Sequence, residues 1–488
     1  MANRLFLFCI GGTGARVAKS LAMLLASGCR LGSSFDTVVP ILIDPDSENG
    51  DLNRTKEILR LYQQVRKRVN KPNDFFFHEM KSLHELADTE AQNTGHFTFT
   101  LDDTLTNTFK EFIGFNELSE IDKSFFRLLY SGNNLNSDLN IGFKGNPNMG
   151  SIVLDQFTQS EDFKNFARVF SSGDSIFIVS SIFGGTGAAG FPLLLKTLRS
   201  DNDDIDGTAL LNNAIVGSLV MLPYFKVGDS DNSEIDSKSF EEKAKTAIRY
   251  YNNTLINQHK LECIYLLGYK GAPTVYENHE GQMLQKNDAH LLEFIGAISI
   301  LDYTRKINEL DLGVTKIKEF GLQRETSEVR FKDLDTSTVQ CVYTHLVKYR
   351  LFTSYLQRGL NRSVGKSRWS VNSVLNLKKT KLTDDFFNSA AYKNYIESFS
   401  KLFDEWTTEL DRNRPSFSPF KSMQEIANSL DFLADKEIKK TTDAFKQIDK
   451  CNNNFIGQLD SESEYSQLLK LFSKSTEAVL IKNKLMSI

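Results

Sequence analysis

The chain has 488 residues, more than one ordinary core accommodates, so two or three domains are expected. Its 58 basic and 62 acidic residues nearly cancel to a net charge of −4, which leaves no basic excess to neutralise a nucleic-acid backbone. With 40% apolar residues and no apolar run near the ~20 residues of a membrane span, the composition is that of a globular cytoplasmic protein.

In chain order, residues 5–10 read as a buried strand that runs into Gly11-Gly12-Thr13-Gly14, and 15–26 as an Ala/Leu-rich helix. Residues 37–43 form a second apolar strand ending in Asp44-Pro45-Asp46. Strand, glycine turn, helix and strand make one βαβ unit, which implies a parallel sheet covered on both faces. Residues 53–130 mix helical and polar-loop patterns, an elaboration between sheet strands. A loop dense in Gly, Asn and Pro at 141–150 leads into a helix at 151–170. The third strand, 175–182, meets a second glycine turn at 183–190 and then a helix at 191–198. A fourth strand at 214–222 closes on Pro223-Tyr224-Phe225, followed by an acidic loop at 229–234 and a helix at 240–257. A fifth strand lies at 261–267 and a long apolar helix at 287–305.

Beyond about residue 327 the strand pattern fades. Residues 339–360 and most of 384–488, including 395–410 and 465–485, carry the 3.6-residue apolar period of helices. The basic segment 362–383 reads as a linker. The expected organisation is therefore an α/β nucleotide-binding domain over 1–310, an intermediate segment over 311–361 and a mainly helical region over 362–488. Five cysteines are scattered without a CxxC pair, which points to reduced thiols rather than a metal site.

Chemistry is concentrated at the two GGTGA turns, 11–15 and 184–188. Glycine lets a backbone approach a ligand closely, and the amide N–H groups at a helix start hold an anion, usually phosphate. Two such turns on neighbouring strands would aim their helix starts at one sheet edge, and the loop at 142–150 would add a third set of donors. Such a cradle suits a di- or triphosphate. Two other readings stay open. A dinucleotide site requires G-x-G-x-x-G followed by an acid; Gly12, Gly14 and Asp44 or Asp46 fit, but Val17 occupies the third glycine position. The glycine turns also fit a purely structural role. Gly365-Lys366-Ser367 is not a Walker A loop, because no apolar strand precedes it and Gly359 is one residue too far upstream.

Gly184-Gly185-Thr186-Gly187-Ala188 resembles the GGGTGSG phosphate loop of the tubulin/FtsZ superfamily, with Phe183, Ala188 and Ala189 as departures, a pattern similar to that of bacterial tubulin-like proteins. Other landmarks follow in that family's order: Gly11, Gly12, Thr13, Gly14 and Arg16 in the first loop, and Asp44 and Asp46 in the second. Gly145 and Asn146 stand in the third, Pro223 in the fifth, and Asn287 and Asp288 at the central helix. The resemblance covers roughly residues 4–345. It implies a Rossmann-like GTP-binding domain that contacts GTP or GDP through these residues, with Mg²⁺ held near Asp44 and Asp46 through water and guanine read by Asn287 or Asp288. It further implies self-association into filaments, or a protein partner in a multi-protein system. Hydrolysis would be slow or assembly-coupled, with Asp333 and Asp335 the nearest counterparts of the family's water-activating acids. The helical 362–488 region departs from the small β-sheet domain of that family.

Overall fold

The computed structural model describes residues 3–70, 74–88, 96–101, 108–200, 206–229, 235, 237–269, 271–279, 281–319, 326–371, 380–421, 433, 443–459 and 463–486. Outside them lie the acidic loop after residue 229 (apart from 235 and 237 onward), residues 372–379 of the basic linker and, apart from 433, the 422–442 part of the helical stretch.

Among the described residues, seven strands pair in parallel. They are β1 (Asn3–Ile10), β2 (Phe35–Ile43), β3 (Glu79–Met80), β4 (Ser175–Ser181), β5 (Val216–Met221), β7 (Cys263–Leu267) and β9 (Lys316–Glu319), ordered β3-β2-β1-β4-β5-β7-β9. Two short parallel pairs stand apart: β6 (Phe225–Val227) with β8 (Thr274–Tyr276), and β10 (Glu328–Val329) with β11 (Ser416–Phe417). Leu5–Ile10 of β1 and all of β4 and β5 are buried, as apolar runs in a sheet covered on both faces require. The five strands legible as apolar runs are the interior ones. The two that were not are the sheet edges: β3 is two residues long, and β9 reads Lys-Ile-Lys-Glu, an edge pattern that needs no apolar run.

The helices that matter below are α1 (Gly11–Ala26), α2 (Gly50–Lys67), α3 (Glu120–Leu129), α4 (Pro147–Leu154), α5 (Glu161–Val169), α6 (Gly185–Leu198), α7 (Phe240–Tyr251), α8 (Leu291–Arg305), α9 (Thr336–Arg358), α10 (Ser398–Arg412), α11 (Ala444–Phe455) and α12 (Glu464–Lys482). Several of these differ from the periodicity reading, with α1 and α6 starting at Gly11 and Gly185 rather than at 15 and 191. The helix expected over 151–170 is broken into α4, a 3₁₀ turn (Asp155–Gln159) and α5, because the Ser160 hydroxyl caps a new helix through Phe163 N. The helix expected over 240–257 ends at Tyr251 and finishes in a π turn, Asn252–Ile256. The helix expected from 287 begins at Leu291. His290 is its N-cap, with Nδ1 accepting from Leu292 N, and Glu293 closes the capping box by accepting from His290 N.

α8 is apolar around most of its circumference, so it is a core helix. One side packs on the sheet; the other meets the C-terminal helices, with Phe294 stacked on Phe417 at 4.7 Å and near Trp406 at 6.0 Å. The Trp406 indole N–H donates to Ser20 Oγ, and Phe352 of α9 packs on Phe472 of α12. The apolar core thus runs from the sheet into the helices of 336–482.

The sheet order places the site. Chain order reverses at β1, with β2 and β3 on one side and β4 onward on the other. In open α/β sheets the ligand crevice lies outside the carboxyl ends of the strands at this point. Both glycine turns are there, one after β1 and one after β4.

Candidate phosphate-binding site

The crevice encloses about 140 Å³ and is walled by both turns, Gly11–Thr13 and Gly184–Gly187, together with Arg16, Asp44, Asp46, Gly145 and Asn287. α1 and α6 begin at these turns. Neither helix has a side-chain cap or an acid in its first turn, so the positive end of each is left for the cavity. Gly11 adopts φ +73°, the left-handed conformation that lets the chain leave β1 and start α1 without a gap. A Cβ on Gly12 would meet nothing closer than Arg16 Nη1 at 3.5 Å, so its backbone is open to a ligand.

The other glycines are closed by packing. A Cβ on Gly14 would lie 2.6 Å from the Cys9 carbonyl carbon, and one on Gly187 2.7 Å from Ser181 O. At Gly185 it would lie 2.9 Å from Phe143 Cβ and 3.1 Å from Asn146 N. The second turn is therefore pressed against the third loop rather than spread open.

The third loop contributes less than its composition suggests. Asn146 caps α4 with its own side chain, accepting from Asn148 N and Met149 N, so those donors are spent. Asn146 and Ala188 face a neighbouring groove instead of the cavity. Gly145 does line the cavity, and its carbonyl accepts from Lys243 Nζ at 3.0 Å. Gly14, Pro223 and Asp288 are not among the lining residues; the Asp288 carbonyl accepts from Tyr276 OH.

Arg16 forms part of the floor, but its guanidinium is committed to protein. Nε donates to Glu293 at 2.5 Å, Nη1 to Asp51 at 2.6 Å, and Nη2 to Tyr224 OH at 2.9 Å and Thr13 Oγ1 at 3.3 Å. Tyr224 OH in turn donates to Glu293 at 2.6 Å. Burial alone would lower the Arg16 pKa; Tyr224, Glu293 and Asp51 outweigh it and raise it well above the ordinary value. Burial opposes ionisation of Glu293, but Arg16 wins and holds its carboxyl below the usual range, whereas at Asp51 burial wins and the pKa is raised. A second buried cluster continues outward, with Lys19 and Arg54 on Glu409 of α10, which also accepts from Ala289 N. The sequence reading gave Arg16 a direct ligand role and missed Asp51 and Glu409, whose partners are 35 and 390 residues away. Burial lowers the His290 pKa to about 4; the ring is neutral, accepting at Nδ1 and donating from Nε2 to Arg414 O.

Asp44 and Asp46 both reach the cavity wall. Asp46 is held as a turn residue, accepting from Gln282 N at 2.5 Å and Glu48 N at 3.2 Å, and Asp44 accepts from Asp46 N. Burial pushes the Asp44 pKa up to about 7. Among the described residues no group of three or more His, Cys, Asp or Glu side chains is arranged to hold a metal. Two carboxylates beside a phosphate pocket suit Mg²⁺, which takes one or two carboxylates with waters and phosphate oxygens. A cation at Asp44 competes with its proton. Were Asp44 to hold Mg²⁺, the apparent Mg²⁺ affinity of the protein should rise up to about tenfold per pH unit below pH 7 and level off above it. Titration calorimetry from pH 5.5 to 8.5 reads this directly. A flat profile would remove Asp44 from the metal site.

The crevice is also lined by Phe225 and Val227 of β6, Phe240, Glu277, His279, Gln285 and Asn287. The cavity's 140 Å³ is below the ~300–1,000 Å³ of a full ligand pocket. The backbone of Asn287 is fixed by Asp51 and Arg54.

Asp333 and Asp335 are not in the cavity. Asp333 accepts from Arg330 N, and Asp335 caps α9 through Ser337 N, with the Ser337 hydroxyl holding its pKa below the ordinary value. α9 meets the far end of α8, where Arg305 contacts Cys341.

No protein-family model and no curated sequence matches the chain. Among solved structures, a GTPγS-bound protofilament of CetZ2 from Haloferax volcanii is 13% identical, with a TM-score of 0.29 over 62% of this chain and 59% of that one. A GTPγS-form protofilament of TubZ from Bacillus thuringiensis serovar israelensis is 10% identical, with a TM-score of 0.25 over 82% and 81%. The chain thus spans about three fifths of the length of the first. Superpositions this loose carry no weight for fold or function, and the site is read on its own geometry. No helix among the described residues is long and apolar enough to cross a membrane.

Proposed function

We propose that the chain binds a guanine nucleoside di- or triphosphate, GTP or GDP with Mg²⁺, its phosphates lying between the two glycine turns. The observation that carries this reading is that both turns, on adjacent strands where the sheet order reverses, wall one cavity with two uncapped helix starts. A dinucleotide site uses the first turn alone and leaves the second without a task. Asn287, on the cavity wall, would offer an amide oxygen to the guanine N–H groups. Hydrolysis coupled to self-assembly follows the sequence resemblance: Asp333 and Asp335, which do not line their own chain's cavity, would act on a neighbouring subunit's nucleotide.

Nucleotide released by heat from freshly purified protein and identified by chromatography tests the proposal. GTP or GDP is the expected result. NAD(P) in stoichiometric amount, or no nucleotide in protein that also fails to take up added GTP, overturns it.

A further inference from the structure

Residues Asn287–His290 lead into α8 without forming helix or strand. Ala289 and His290 are fully buried, so the peptide groups of this segment need partners from elsewhere in the fold. Asn287 is the residue of the four that lines the cavity. Among the described residues its side-chain amide has no hydrogen-bond partner; only its backbone is engaged.

Three elements hold the segment. From α2, Asp51 accepts from Asn287 N at 3.1 Å and Arg54 Nη1 donates to Asn287 O at 3.2 Å. From β8, the Tyr276 hydroxyl stands 3.0 Å from Asp288 O and 2.9 Å from Asn413 Oδ1. The end of α10 and the two residues after it supply the rest. Glu409 Oε2 accepts from Ala289 N at 2.9 Å, Asn413 Nδ2 donates to Ala289 O at 2.5 Å, and Arg414 O accepts from His290 Nε2 at 3.1 Å. The same turn also grips β8, because Thr274 Oγ1 accepts from Arg414 N at 2.7 Å. Glu409 and Asn413 are each 3% exposed, so these bonds are shielded from water.

We propose that the end of α10, through Glu409 and Asn413, clasps the 287–290 segment and thereby sets the base preference of the site. The inference rests on the guanine-nucleotide reading. Guanine offers N1–H and N2–H to an amide oxygen, whereas adenine presents a lone pair at N1. An asparagine can turn its amide and offer N–H instead, so it discriminates only if the main chain that carries it is fixed. The clasp supplies that fixity, which makes Glu409 and Asn413 positioning residues and the C-terminal helices a part of base recognition. The glycine turns hold the phosphates from other elements, so the clasp bears on which base binds more than on phosphate affinity.

Glu409 also pairs with Lys19 of α1, so the test uses Asn413 and Tyr276, whose hydrogen bonds stay within the clasp. Calorimetric titration of GTP and of ATP into the full chain reads the preference. The wild type should favour GTP at least about a hundredfold. Asn413→Leu should lower that ratio at least about tenfold by weakening GTP, with ATP affinity held within about threefold. Tyr276→Phe removes only a hydroxyl and should shift the ratio the same way by about threefold or more; it decides the matter if the leucine variant does not fold. A wild type without a preference for GTP overturns the guanine reading and the clasp with it. A wild-type preference that the variants keep, or variants that weaken GTP and ATP equally, overturns the clasp alone.

Discussion

Replacing Arg16 with methionine should cost the fold about 3–5 kcal/mol at pH 7.5, among the largest effects of any single substitution in the chain. Arg16 is 3% exposed and neutralises two carboxylates, Asp51 and Glu293, that are themselves 1% and 0% exposed. Methionine fills the space but leaves both charges buried without their cation. The pH dependence identifies the cause. In the wild type the Glu293 pKa is depressed, so its contribution is present above its unfolded pKa and lost as pH falls through the folded one. In the variant both carboxyls sit in apolar surroundings with raised values, so the fold takes up protons more readily than the unfolded chain does. The deficit should then shrink as pH falls from 7.5 to 5.5. Urea unfolding at the two pH values measures this, and Arg16→Met/Asp51→Asn/Glu293→Gln should recover much of the loss. A deficit under about 1 kcal/mol at pH 7.5, or one that does not move with pH, would show that Arg16 does not carry the pair.

Gly14→Ala should be nearly as damaging, about 3 kcal/mol, for a different reason. The added Cβ meets Cys9 C at 2.6 Å, Cys9 Cα at 3.0 Å and Val179 O at 3.1 Å, all backbone of the two central strands. Neither strand can retreat without breaking its pairing register, in which Cys9 stands opposite Leu42 and Val179. Two residues earlier, Gly12→Ala meets only Arg16 Nη1 at 3.5 Å and should leave stability within about 1 kcal/mol of the wild type or above it. Thermal and denaturant unfolding of the pair compares them directly. Equal stability losses at the two positions would contradict the division of labour between a packing glycine and a ligand-facing one.

The interior strands and the two glycine turns were legible because a strand buried on both faces must be an apolar run and a close backbone approach must be glycine. Edge strands escape that logic, as β9 shows: Ile317 is 54% exposed, and lysines flank it. Helix starts were legible unevenly: the start of α7 at Phe240 was read although no side chain caps it, whereas the Ser160 cap that separates α5 from α4 was not. His290 is an N-cap because burial keeps its ring neutral, and nothing local in the sequence announces that. The ion-pair network beneath the cavity was out of reach for another reason. Arg16 finds Asp51 35 residues away and Glu293 277 residues away, and periodicity carries no information at such separations. Gly185 marks the same boundary: the motif singled it out as a phosphate contact and it lines the cavity, but only the fold reveals that its Cα hydrogen faces Phe143.

Calorimetric titration of GTP into the wild-type chain and into Gly12→Val tests most directly whether one phosphate chain lies between the two turns. Gly12 lines the cavity and is not in the left-handed region, and a Cβ there meets only Arg16 Nη1 at 3.5 Å, so a valine at this position takes up cavity space without straining the backbone. The expected result is GTP binding by the wild type, at least about a hundredfold weaker in the variant, with a similar melting temperature. Equal affinity in both proteins, or a wild type that binds NAD(P) and not GTP, would contradict it.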